Sequence, residues 1–370
     1  MQHAKLTLML PWEEIDAEAQ KQILNVLDLP ELARLVIMPD VHAGYDLCIG
    51  GVALLRRTVC PSFVGYDIGC GMCHVNTEKS LAEFGLNAKK KREDFFAILR
   101  QRIPAGLGKG HTTDSGMSFR SACGDKQLEK GIAPLVAAQL GTLGSGNHFL
   151  ELGVNAAGQL GVTVHSGSRR CGYDIAASYM KKGRFLPVDS ALGQAYLADM
   201  QWALDFALEN RRRMLEQVLL ALDFGAAACA ALMRSPAFIN ETHNHAVIVE
   251  HAARLVLHRK GATPAEKGQR GVIPANQRDG VYITAGLGNE DYLASASHGA
   301  GRMFSRKTAA KQGDIKALQR VMQNIVCRTD AAILDEAPWA YKDIGVVLRA
   351  QAGLVVDIVD HFKPVIVLKG

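Results

Sequence analysis

The stretch "SASHGAGR", residues 295–302, sets His298 among side chains too small to bury it and follows it with Gly299, Ala300, Gly301 and Arg302. Small residues let a backbone come close to a bulky ligand, and arginine suits a phosphate. The stretch reads as a place where an imidazole meets a phosphorylated molecule. "GYDIGCGMC" supplies Asp67, Cys70 and Cys73. A carboxylate and a thiolate on one glycine-rich turn can reach a single divalent cation, one through hard oxygen and the other through soft sulfur. Other readings of the cysteines stand beside that one: a redox pair, half of a zinc knuckle, or burial of small apolar thiols. A knuckle needs a second ligand pair nearby, and none follows. A redox pair normally opens a helix, whereas "GMCHVNT" reads as a strand.

"GTLGSGNHFLEL" places Asn147, His148 and Glu151 behind small and turn-forming residues, "VHSGSRR" puts His165 at a strand end, and "NETHNHAVIVEH" offers His243 and His245. Neutral imidazoles with one carboxylate and one thiolate suit two transition ions bridged by sulfur. Mn²⁺ or Zn²⁺ fits such a set better than Mg²⁺, which wants more oxygen. Paired ions suit phosphoryl or nucleotidyl transfer. His42, His74, His111, His251, His258 and His361 read as structural. "HRKGATPAEKGQRG" gathers Arg259, Lys260, Lys267 and Arg270 in a glycine-rich loop, either a solvated charge run or a grip for a phosphate backbone. "NAKKKRED" and "ENRRRM" read as solvated helix faces.

These residues need elements to position them. Helical periodicity runs through "EEIDAEAQKQILNVL", "KKREDFFAILRQR", "AYLADMQWALDFALENRRRMLEQVLLAL" and "IKALQRVMQNIV". Strand-like runs lie between them: "RLVIM", "GVALLRR", "GVTVHS", "RLVLHRKG", "GVYITAG" and "PVIVLKG". They do not alternate regularly with the helices, which predicts an α+β fold with irregular sheets over a doubly wound parallel one. The reactive residues follow the strand-like runs, where a rigid scaffold usually presents chemistry. "RLVIM" leads into "PDVHAGYD", and "GVTV" into "HSGSRR".

Composition narrows the classes. With 370 residues, 48% hydrophobic and 21% charged, the chain reads as an ordinary globular protein, and its net charge of +5 allows a nucleic-acid partner without requiring one. Neither G-x-G-x-x-G after a strand nor G-x-x-x-x-G-K-[ST] occurs, so both common nucleotide-binding fingerprints are missing. The apolar stretch "VLLALDFGAAACAALM" is broken by Asp223 and is no membrane span. Eight cysteines without a recognisable secretory leader suggest a reducing compartment, hence the cytoplasm.

In chain order, "MPDVHAGYDLCIGGVA", "GYDIGCG", "GTLGSGNHFLE", "VHSGSR", "THNHA", "HRKGAT", "ASHGAGR", "EAPWAYKDI" and "VIVLKG" together resemble the RtcB family of RNA ligases, from about Met38 to Gly370. The resemblance implies a single catalytic domain over residues 1–370. It implies a ligase dependent on GTP and two Mn²⁺ ions. Its substrates would be RNA ends bearing a 3′-phosphate or 2′,3′-cyclic phosphate and ends bearing a 5′-hydroxyl. His298 would be guanylylated, GMP would pass to the RNA 3′-phosphate, and the 5′-hydroxyl would then displace it. One ion would sit on Asp67, Cys70 and His148, the other on Cys70, His165 and His243. The nucleotide would draw on Asn147, Glu151, Asn244, His298, Gly299, Ala300, Gly301 and Lys369. Gly299 and Gly301 would leave an open in-line path to the α-phosphate, and Arg302 would stabilise phosphate charge.

The chain departs from the family where a Pro-Gly-Ser-Met stretch usually wraps the guanine nucleotide. "IPANQRDG" puts Pro274, Ala275, Asn276 and Gln277 there, so the loop is expected to persist with altered contacts. Cys48 stands where an aromatic-proline pattern is commoner. These differences point to a divergent bacterial branch serving RNA repair alongside a release-factor-like partner, and a monomer is expected. A two-metal phosphoesterase acting on cyclic phosphate, and a non-catalytic RNA-binding module, are the competing readings.

Overall fold

The computed structural model describes residues 3–106, 108–111, 116–250 and 254–370; His251 lies outside them. Two sheets form the centre of the α+β architecture. One runs in the order Leu6–Leu8, Leu32–Tyr45, Leu47–Arg56, Leu255–Lys260, Asn244–Glu250. The larger runs Arg270–Pro274, Val281–Gly286, Val356–Lys369, Phe149–Val154, Gln159–Ser166, Gly71–Ser80, Ile239–Thr242, with Val326–Cys327 added alongside Val356–Lys369. Neighbours along the larger sheet's main path are antiparallel. That pattern agrees with the irregular α+β expectation, and each expected strand run overlaps an observed strand, passing its ends by at most one residue.

Register carries the strand ends to one place. Phe149 pairs with His165, Gly71 with Ser166, and Gly71 also with Thr242. His148, Cys70 and His243 are each the next residue beyond such a pair, so they leave the sheet at the same end as His165. A hydrogen bond of 2.8 Å from His243 N to the Cys70 carbonyl ties two of these ends together.

Behind that end lies the helix Ala191–Ala221, whose first turn is capped by the Ser190 side chain accepting from Gly193 N. Its buried positions Ala203, Leu204, Ala207, Arg211, Met214, Leu215, Val218 and Leu219 recur every three to four residues and pack toward the sheet. Two polar residues sit in that buried stripe. Asn210 accepts from Gly141 N at 2.7 Å and Thr142 N at 3.0 Å, and donates to the Thr142 and Gly167 carbonyls, both at 3.1 Å. Arg211 donates to the Gly69 and Ser166 carbonyls and to Asn240 Oδ1, all at 2.8 Å. The expected solvated face "ENRRRM" is therefore corrected at its centre. Arg212 and Arg213 do pair with Glu209, but Arg211 is fully buried.

"HRKGAT" is corrected as well. Arg259 and Lys260 belong to the strand Leu255–Lys260 and are buried. Arg259 binds Ser295 Oγ at 2.9 Å and the Ala294 carbonyl at 3.2 Å. The Lys260 ammonium donates to the Tyr45 and Ser62 carbonyls. These cations join strands and loops and are no grip for a phosphate backbone. "NAKKKRED" does open a helix, Lys89–Arg102, with exposed lysines. The helix in "IKALQRVMQNIV" stops at Val321, and Val326–Cys327 pairs instead with Ile366 and Val367. A β-branched pair at Ile325 and Val326 gains more by extending a sheet edge than by a further helical turn.

Cys48 is buried in the core beneath the smaller sheet, and all eight cysteines are free. Cys73 lies within the strand Gly71–Ser80, deep in an apolar cluster, and burial pushes its thiol up to about 12. That environment suits an inert buried thiol better than a redox partner for Cys70. Among the described residues no helix is long and apolar enough to cross a membrane.

Replacing Arg211 by methionine would keep the stripe filled but leave three acceptors without their donor. Such losses cost about 1–3 kcal/mol for each stranded buried group. Arg211→Met should therefore lower the unfolding free energy by about 3 kcal/mol or more in chemical denaturation. Arg211→Lys should recover only part, because a point charge cannot span three partners; an unchanged midpoint for both would remove Arg211 from this role.

Candidate metal and nucleotide site

The strand ends bring together the five side chains expected to hold metal. Cys70 Sγ lies 3.4 Å from His148 Nε2 and 3.2 Å from His165 Nε2. His165 Nε2 lies 3.4 Å from His243 Nε2, and His148 Nε2 lies 3.1 Å from Asp67 Oδ2. Cys70, His148 and His165 meet the spacing of a metal-holding group.

Backbone carbonyls set which ring nitrogens face inward. His148 Nδ1 has the Leu143 carbonyl at 3.0 Å and His165 Nδ1 has the Asn147 carbonyl at 3.2 Å. Donating there leaves each Nε2 with a lone pair. Arg169 Nη1 also approaches His148 Nδ1 at 3.0 Å, but only the carbonyl can take its proton. Burial, then neighbouring positive charge, holds His165 and His243 well below the usual histidine range, so both are neutral. Burial would raise Asp67, but the neighbouring His148 and Arg169 side chains bring it to about 2. Burial raises the Cys70 thiol well above its ordinary value. The centre is therefore a ring of acceptors facing acceptors, with at most the thiol proton to share. A divalent cation fits it, satisfying the lone pairs and ionising the thiol.

His298 follows the short strand Ser295–Ser297, which pairs with Ala262–Pro264. Its ring centroid is 4.8 Å from that of His243. Its Nδ1 lies 2.6 Å from Asp40 Oδ2, and its backbone N donates to the same oxygen at 3.2 Å. Asp40 is fully buried. Donation to Asp40 leaves Nε2 as the free, nucleophilic nitrogen. Asp40 is aimed by a bulge in the strand Leu32–Tyr45, where the pairing slips between Ile37 and His42. Pro39, with no N–H to give the ladder, sits inside that bulge.

A cavity opens beside the His298 ring, lined by Asn147, Glu151, Pro274, Ala275, Asn276, Gln277, Gly299, Ala300, Gly301 and Lys369 among the expected residues. Asn244 is the exception. It sits behind the centre, giving its amide to the Asp67 carbonyl at 3.1 Å and taking Gly261 N at 2.8 Å. The Asn276 side chain folds the 274–280 loop on itself, accepting from Arg278 N and Asp279 N, while Gln277 donates to the Glu336 carbonyl at 2.9 Å. Gly301 does other work than expected. It has φ +77°, and a Cβ there would lie 2.2 Å from the Asp40 carbonyl oxygen. Its smallness lets the His298 loop close onto the Asp40 strand.

The cavity also contains residues to which the sequence reading gave no role: Asp40's neighbour His42, then Phe149, Arg306, Glu336 and Tyr341. His42 was read as structural; it lines the wall, kept neutral by burial at about 4, with Nδ1 2.9 Å from the Asp40 carbonyl. Glu336 is a buried hub. Lys369 Nζ at 2.5 Å, Arg306 Nη1 at 2.7 Å and Arg302 Nη1 at 2.9 Å converge on it, and the Tyr341 hydroxyl donates to it. Burial would raise its carboxyl, but Lys369 and Arg306 hold it near 2. Arg302 is thus spoken for by Glu336 and by the Asp335 carbonyl at 2.6 Å. The signal for these residues lay in "PDVHAGYD", directly after a strand-like run, and in the charged "DEAPWAYKD".

Five further described histidines have structural partners. His74 bonds Thr163 at 2.8 Å, His258 accepts from Cys60 N at 2.9 Å, His361 stacks on Tyr282, and His111 faces the Gly141 carbonyl at 3.2 Å. His245 is buried between Thr242 and Arg259, outside the metal centre.

Comparison with known proteins gives the family. The family model described as tRNA-splicing ligase RtcB matches residues 22–370. The RNA-splicing ligase RtcB of Escherichia coli K12 is 32% identical, covering 96% of this chain and 95% of that protein. The tRNA-splicing ligase RtcB of Thermococcus kodakarensis is 29% identical over 95% of this chain and 90% of its own length. The RNA-splicing ligase RtcB of Mycobacterium tuberculosis is 29% identical over 90% and 96%. The chain belongs to the RtcB family of RNA ligases.

Proposed function

We propose that this chain joins RNA ends bearing a 3′-phosphate or 2′,3′-cyclic phosphate to ends bearing a 5′-hydroxyl, using GTP and two Mn²⁺ ions through a guanylylated His298. The observation that carries the reading is the Asp40–His298 pair beside an acceptor-rich centre and a cavity of nucleotide-binding character. His298 Nε2 attacks the α-phosphorus of GTP, forming a phosphorus–nitrogen bond as the bond to pyrophosphate breaks. A 2′,3′-cyclic end first takes up water, which opens the ring to a 3′-phosphate. An oxygen of that phosphate then attacks the phosphorus of the adduct, breaking the phosphorus–nitrogen bond and leaving the electron pair on His298 Nε2. Attack of the 5′-hydroxyl on that phosphate releases GMP, and the hydroxyl proton leaves to solvent or a nearby base.

Each part of the site has a task in this sequence. Asp40 accepts a hydrogen bond from the Nδ1–H and stabilises the positive charge that grows on the ring during attack. Asp67, Cys70, His148, His165 and His243 would hold the cations, which supply Lewis-acid charge for phosphate oxygens. Glu151 has an oxygen without a hydrogen-bond partner, is buried, and is raised well above its ordinary value by that burial. Its carboxyl suits the N1–H and exocyclic amine of guanine, a donor pair that adenine lacks. Phe149 and Tyr341 give apolar walls for the base. Lys369, Arg302 and Arg306 leave the cavity wall cationic even after Glu336 is counted, which suits a polyphosphate.

GTP labelled at the α-phosphate, with each divalent cation in turn, should transfer label to the protein most strongly with Mn²⁺, and His298→Ala should abolish it on a denaturing gel. Label retained in that variant would reassign the nucleophile. Asp40→Asn cannot hold the same tautomer. It should slow single-turnover adduct formation by about a hundredfold or more, and a rate within threefold of the parent would leave Asp40 without this role. Cys70→Ala removes the atom shared by both proposed metal sites. Mn²⁺ bound per chain, measured by elemental analysis after desalting, should fall from two toward zero; an unchanged content would place the ions elsewhere.

A further inference from the structure

Beside the candidate nucleotide cavity, with which it shares Asn147 and Arg306, an open groove runs past Asp67 and His148. Its rim carries Lys109, Arg169, Arg170 and Arg306 on one hand and Tyr66 and Tyr173 on the other. The two tyrosines stack, with ring centroids 4.8 Å apart and planes 22° apart. Tyr173 is 44% exposed, and the Arg170 guanidinium lies 5.1 Å from its ring centroid.

Tyr66 packs against the core, but Tyr173 does not belong to it. In the helix Arg169–Lys182 the buried positions are Cys171, Gly172, Ile175, Ala176 and Tyr179, and Tyr173 projects from the opposite side. Its neighbours are tied to the reacting centre: Tyr66 directly precedes Asp67, and the helix begins just after the His165 strand. An exposed ring stacked on a half-buried one, capped by a guanidinium and edged by cations, is what unpaired nucleotides bind. Bases stack on the rings and phosphates meet the cations. A duplex keeps its bases stacked inward and cannot use such a platform.

We propose that Tyr66, Tyr173 and Arg170 form a stacking platform for an unpaired base of single-stranded RNA close to the end held at the metal centre. The proposal takes its ligand class from the ligase reading above. The platform fixes the strand's approach without contacting the reacting phosphate.

The test is binding, measured without GTP or Mn²⁺, so that it does not depend on ligation. Fluorescence anisotropy of a labelled short single-stranded RNA ending in 3′-phosphate should show about tenfold weaker binding to full-length Tyr173→Ala than to the parent. Tyr173→Trp should bind like the parent, which a mere folding defect of this exposed position would not explain. Arg170→Gln should lower the slope of log affinity against log salt. Equal affinity of the parent and Tyr173→Ala would overturn the proposal. So would an equal loss for the same sequence as a duplex, since that would mean charge or shape and not base stacking. If the parent forms no GMP adduct yet these differences appear, the ligase reading fails while the platform stands.

Discussion

The site depends on a buried arginine and asparagine in the middle of one long helix. A ring of lone pairs cannot assemble itself, because every ligand end repels the next until a cation arrives. Something else must hold the loops in place, and Arg211 and Asn210 do so from behind. Their partners are backbone groups at Gly69, next to Cys70, at Ser166, next to His165, and at Gly141 and Thr142, upstream of His148. Arg211 also grips Asn240 in the strand that ends before His243. Neutral carbonyl and amide partners bring no rival charge to the centre. Burying a guanidinium is costly, and burial lowers the pKa of Arg211; its three hydrogen bonds and the order they impose on the ligand loops offset that cost.

The same logic explains the division of labour between carboxylates. Asp40, Glu151 and Glu336 are all buried and lie at or beside one cavity, yet their surroundings differ in kind. Asp40 has an imidazole as partner, Glu336 has three cations and a phenol, and Glu151 has burial as its one resolved influence. Environment thus sorts them into an orienting anion, a permanent counter-charge and an acid awaiting donors. Residue type alone could not have sorted them.

That limit marks how far the sequence can be read. Strand runs, long helices and the side chains that converge on the candidate metal centre were legible because periodicity and turn chemistry are local, and those side chains sit where strands stop. The Asp40–His298 contact was not legible, since it joins residues 258 positions apart through a bulge whose pairing partner lies on yet another strand. Arg211 was misread because "ENRRRM" shows three arginines in a row, and only the helix's rotation against the sheet decides which one is buried. Arg259 and Lys260 were misread for a related reason. Charged residues in a strand look like loop residues until carbonyls from neighbouring segments are seen to receive them.

Cavity and groove have Asn147 and Arg306 in common, and the metal centre lies where the two meet. Asn147 anchors His165 through its carbonyl while it lines both spaces. Arg306 binds Glu336 in the cavity and Asp335 at its edge, yet its side chain stays 45% exposed. Gly144 keeps the approach narrow: a Cβ there, at φ +85°, would collide with the Arg169 guanidinium that packs against it. A molecule in the cavity and another in the groove would therefore touch shared residues, so that filling one alters the charge and hydrogen bonding met by the other. Such coupling needs no moving domain. It would follow from giving two spaces beside one acceptor ring a common wall.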